Sequence, residues 1–168
     1  MPLDPTLDAV IDAVEAAVEA VATITAKAVP VYDSPVEYYT ISDVKASLLD
    51  NENRVHFYEI EAGTSQEREK GQRGRFVAVH RIMLHGYHTV VQSTISAGKN
   101  AHRIFLEEGE LVRDAIRSSS AIFGTPEDLQ ESERTSSMVD RTPTMKGGVL
   151  CWHNVIELFV EATAEVAF

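Results

Sequence analysis

Cysteine is nearly absent from this chain: Cys151 is alone, so no disulfide can form within it and the thiol fits a reducing compartment. Basic side chains are scarce too, with 15 Lys and Arg against 26 Asp and Glu, a formal charge of −11. Such a surface repels phosphate backbones, which argues against conventional nucleic-acid binding unless a basic patch gathers locally. No apolar run reaches the length of a bilayer crossing. The first residues carry Asp4, Asp8 and Asp12 and lack the basic stretch that opens a secretory signal. The expectation is a soluble protein made in the cytoplasm, with no membrane partner.

A nucleotide-binding loop is missing as well. Ser96-Ala97-Gly98-Lys99-Asn100 has the Gly-Lys pair, but Ser93 stands where the first glycine belongs and Asn100 where a hydroxyl must reach magnesium. What is present suits a folded domain. Apolar residues make up 44% of 168, enough for one core, so residues 1–168 read as a single domain.

Asp4-Pro5 is a helix start, and Leu7, Val10, Ile11, Val14, Val18 and Val21 follow at helical spacing, predicting a helix from Pro5 to about Lys27. Asp8, Asp12, Glu15 and Glu19 form an acidic stripe on its other side. Pro30 and Pro35 bracket a connector, and Val36–Ile41 is compatible with a short strand. Asp50-Asn51-Glu52-Asn53 signals a turn. Val55–Glu61 and Arg75–His88 read as strands, and Ala97–Ser119 as a helix. Val149–Thr163 alternates, with Leu150, Trp152, Ile156, Leu158 and Val160 on one face and His153, Glu157 and Glu161 on the other. Asn154 is the polar break in the apolar face, and Trp152 is expected to anchor the core. Two polar stretches, Gly63–Gly74 and Gly124–Gly148, read as long loops. The fold class is therefore α+β: a mixed or antiparallel sheet flanked by two helices in the order α-β-β-α-β.

Candidate chemistry is thin. His80 and His88 share a strand face and His85 takes the other, so one ion cannot readily collect all three, and no metal site is expected. Cys151 and His153 share a face, but no Gly-rich elbow or third orienting group accompanies them, which favours a structural cysteine. Glu107 with Glu108 and Glu157 with Glu161 lie amid ordinary surface patterning. Neither a catalytic residue nor a cofactor site is assigned.

The order of elements resembles that of the tail-terminator and head–tail joining (neck) proteins of long-tailed bacteriophages. The resemblance is carried by the helix from Pro5, the connector Val29–Pro35, the run Arg75–His85, the helix around Ile104–Ile116 and the closing strand Val149–Val160. It implies a non-enzymatic virion subunit, assembled in the host cytoplasm into a homo-oligomeric, hexameric ring. Such a ring caps the tail tube protein and meets the head–tail connector, and DNA only passes through its lumen. On this reading Glu67, Arg68, Glu69, Lys70, Arg73, Glu131, Arg134 and Arg141 are protein-interface residues in two docking loops. Asp8, Asp12, Glu15 and Glu19 would be lumen-facing. A head-completion subunit is the neighbouring alternative. A small metal- or ligand-binding protein or enzyme using His80, His88, Cys151 or His153 is the alternative of another class.

Overall fold

The computed structural model describes residues 5–21, 27–30, 44, 48–50, 52–62, 66–69, 75–91, 100–119 and 137–165. In chain order these give helix α1 (Pro5–Glu19), strands β1 (Lys27–Pro30), β2 (His56–Ala62), β3 (Gln66–Glu69) and β4 (Arg75–Thr89), helix α2 (Ala101–Arg117), and strands β5 (Ser137–Lys146) and β6 (Val149–Glu165). The sheet runs β1-β2-β4-β6-β5, with β3 pairing the part of β4 that extends past β2. Only β1 is parallel to its neighbour, so the sheet is mixed. The expected α+β class is the observed one.

Strand alternation divides the sheet into two unlike faces. Tyr58, Ile60, Ile82, Leu84, Ile156 and Leu158 point to one face, where α1 adds Val10, Val14 and Val18 and α2 adds Val112 and Ile116. Both helices lie on that side. On the opposite face, among the described residues, Val44 and Leu48 close on Val55, Phe57, Tyr87 and Cys151. Asp50 shapes the entry to β2: its Oδ1 accepts the backbone N–H groups of Glu52 and Arg54 at 2.8 and 2.9 Å, and Asn53 takes a positive φ of 56°. The turn read from residues 50–53 is therefore where it was expected.

Four expectations need correction. Helix α1 ends at Glu19, and Lys27, expected near the helix end, opens β1; the 15-residue helix is about 22 Å long. A four-residue strand is too short to declare itself by alternation. Within Gly63–Gly74, Gln66–Glu69 is a strand, because the free edge of β4 pairs with backbone whatever side chains that backbone carries. Within Gly124–Gly148, Ser137–Lys146 is also a strand, joined to β6 by Gly147-Gly148 with φ of 57° and 73°. Two successive positive-φ residues give the tight hairpin turn whose twist matches antiparallel strands. The periodicity missed β5 because seven of its ten residues are exposed and no continuous apolar face had to alternate. Finally, Trp152 is half-buried at the end of α2 rather than deep in the core. Val36–Ile41, Lys70, Arg73, Glu131 and Arg134 lie outside the described residues.

Candidate functional site

Three features of the described surface can carry interactions: an open sheet edge, an acidic helix and two histidine clusters. Among the described strands β5 is an outer one, bonded on one side only, through β6. Val139 is 45% exposed, and Asp140 and Arg141 beside it are exposed too. The pairing with β6 shifts between Arg141 and Thr144, so Thr142-Pro143 forms a bulge. Proline offers no ladder donor and a bulge bends the strand, which leaves Ser137–Arg141 as the regular part of this edge.

On α1 the acidic stripe is at the surface, with Asp8, Asp12 and Glu19 exposed and Glu15 half-buried. Glu19 Oε2 meets Lys27 Nζ at 3.0 Å, so one of the four charges is offset by the first residue of β1. Of the expected interface residues, Glu67, Arg68 and Glu69 fall on β3 and Arg141 on β5. The structure thus sets them on two different strands, β3 pairing β4 and β5 pairing β6.

The face of the sheet that lacks helices carries the first histidine cluster. His85 Nε2 lies 3.0 Å from Glu61 Oε2, and His85 Nδ1 lies 3.0 Å from His153 Nε2. With His85 donating to Glu61, its other nitrogen accepts from His153, giving a Glu–His–His chain across β2, β4 and β6. Tyr87 stacks on His153 at 4.8 Å. Burial, then His85 and Arg141, push the His153 imidazole down to about 4. Nearby, Lys146 Nζ binds Glu59 Oε2 at 2.8 Å, both side chains being largely buried, and sits 4.9 Å from the Tyr87 ring centre.

Cys151 does not join His153. Its Sγ lies 3.7 Å from the Val149 carbonyl, it is fully buried, and burial pushes its thiol up to about 11. A thiol held protonated and out of solvent is a poor nucleophile. His80 is also buried, on the face opposite His85. Among the described residues no group of three or more His, Cys, Asp or Glu converges to hold a metal ion.

The second cluster lies under the first half of α2. His56 Nε2 meets Glu108 Oε2 at 3.1 Å, and the His56 and His88 rings are 4.7 Å apart, edge to face. Trp152 stacks between His88 at 5.9 Å and His102 at 5.3 Å, and His102 Nε2 reaches Asp140 at 3.2 Å. The sequence named His88 and Trp152, set Glu108 among ordinary surface carboxylates and left His56 out. The signal for His56 was parity: it shares its strand face with Tyr58 and pairs with His88 in the β2–β4 register.

Deeper still, Asn154 is fully buried between Gly86 of β4 and Gly109 of α2. A Cβ on Gly109 would come within 2.6 Å of Asn154 Nδ2, and a Cβ on Gly86 would run into Asn154 Oδ1. The two glycines let helix and strand close on the amide. Beside it the Tyr58 hydroxyl is buried, and burial followed by the charge of Glu108 raises its proton affinity.

Among the described residues no helix is long and apolar enough to cross a membrane. The chain matches no model of a known protein family, and no curated protein matches it.

Proposed function

We propose that this chain is a structural virion subunit that closes a ring on the end of a phage tail tube and joins that tube to the head connector. The observation that carries the reading is the outer edge of β5, which no described strand pairs. A free strand of this kind templates pairing with another chain, and a ring neighbour is the partner that uses it without uncontrolled aggregation. Val139 sits on the regular stretch, and the Pro143 bulge limits how far pairing can run.

The charge distribution supports the same reading. Six copies carry a formal charge of 6 × −11, or −66, and the exposed carboxylates of α1 suit a wall that DNA passes without sticking. On this reading β3 and β5 carry the docking residues Glu67, Arg68, Glu69 and Arg141.

The test is electron microscopy and native mass measurement of the purified chain, alone and with tail tubes. A ring with a central hole is expected, and Val139→Lys, which places a charge on the pairing edge, should reduce it to monomer while the subunit keeps its circular dichroism. A protein that stays monomeric alone and with tubes refutes the proposal.

A further inference from the structure

Helix α2 is held to the sheet in two different ways along its length. Its second half uses Val112 and Ile116, which are fully buried in the apolar cluster. Its first half offers His102, Phe105 and Glu108, three residues apart and therefore on one helical face, and each meets an aromatic ring of the sheet. The rings run from half-exposed His102 through Trp152 and His88 to buried His56.

From this geometry we infer that the array is an acid-sensitive clamp: with His88 neutral it holds the first half of α2 on the sheet, and a proton on His88 releases it. The groups facing the array decide this. Glu108 of α2 faces His56, Oε2 to Nε2 at 3.1 Å. His88 gives its Nδ1 hydrogen to the Thr89 carbonyl at 2.9 Å, so only Nε2 can take another. The carboxylate nearest that nitrogen is Asp50 at 3.9 Å, and it is already engaged by the Arg54 guanidinium and by the backbone N–H groups of Glu52 and Arg54. Asp140 of β5 faces His102 at the outer end, and the Tyr58 hydroxyl of β2 feels Glu108.

A cation on His88 would therefore be buried edge to face with the His56 ring, while the carboxylates that favour it, Glu108 and Asp50, already face His56 and Arg54. Burial, and then His56, already hold His88 below the ordinary histidine value. The sign follows. Above the unfolded value near 6.5 His88 is neutral in both states and the clamp is intact; as pH falls below it, the released or unfolded chain takes the proton first and the clamp weakens. This inference does not depend on ring assembly.

The protein carries its own reporter, because Trp152 is its single tryptophan and lies between two of the imidazoles. The full chain is titrated from about pH 8 to about pH 4.5, the range in which histidines change charge, with Trp152 emission and far-ultraviolet circular dichroism read together. The expected result is a reversible step in emission with most of the dichroism retained. His88→Gln should abolish that step or move its midpoint by about one pH unit or more, and His56→Gln should do the same. His153→Gln, on the other face of the sheet, should leave it in place. Emission that stays flat, a step that coincides with loss of all dichroism, or a step that survives both His88→Gln and His56→Gln overturns the inference, as does a step removed by His153→Gln instead.

Discussion

Replacing Gly86 with Ala tests the tightest glycine contact among the described residues. The new Cβ would strike Asn154 Oδ1 and lie 2.7 Å from Tyr58 Cε1, and both of those side chains are fully buried. Asn154 has little room to turn aside, because Gly109 of α2 holds its Nδ2 from the other side. Losing a strand glycine gains about 0.5–1 kcal/mol of backbone entropy. Overpacking a closed site costs about 1–3 kcal/mol, and two immovable neighbours put this site at the upper end. The net expectation is a destabilisation of about 2 kcal/mol. Asn154→Ala removes one of the two obstacles, so in that background Gly86→Ala should cost about 1 kcal/mol less, a coupling well above the additivity limit for independent sites. Urea unfolding of the four proteins of the cycle, followed by circular dichroism with slopes compared, measures both quantities. If Gly86→Ala unfolds within about 0.5 kcal/mol of the parent, or if the two changes simply add, then the wedge of Asn154 between strand and helix is the wrong account.

Lys146→Met should destabilise the chain by about 3 kcal/mol in the same assay, because it leaves Glu59 buried without its cation, whereas Lys146→Met with Glu59→Met should recover most of the loss. His153 sets part of the acid limb: its folded value near 4 lies 2.5 units below the ordinary 6.5. Its stabilisation is complete above about pH 6.5 and is lost as pH falls toward 4, since the unfolded chain binds the proton first. With screening around a half-buried ring this amounts to about 1–2 kcal/mol. His153→Gln should flatten stability between those pH values by this amount, and an unchanged acid limb would count against the assignment.

Much of the framework was legible because burial writes a period into sequence. Residues 75–88 and 149–163 each had to place one face on α1 and α2, and their strands appear at Arg75–Thr89 and Val149–Glu165. Besides the four-residue β1, two missed strands, β3 and β5, had no such duty. Gln66–Glu69 is all polar, and Ser137–Lys146 is mostly exposed, so both were read as loop. The Gly147-Gly148 pair was the legible sign of the second, since a two-glycine turn implies a strand on either side. Asn154 was visible as a break in an apolar face, but its partners were not. The contact between Gly86, Asn154 and Gly109 joins three elements, and no local window contains it. The same holds for His56 and Glu108, which are brought together only when α2 crosses the sheet.

The longest strand, β6, is the last in chain order, yet it lies between β4 and β5 and matches β4 residue for residue from Cys151 to Glu165. Synthesis therefore delivers the centre of the sheet after its flanks. Until residues 149–165 leave the ribosome, β4 has an empty side and β5 has no partner at all, so the native sheet cannot form progressively from the N-terminus. Without residues 149–165 the chain has the acidic helix and His56, His80, His85, His88 and His102, but neither His153 nor the strand that joins β4 to β5. Emergence of that segment is thus the step at which these strands can close into one sheet.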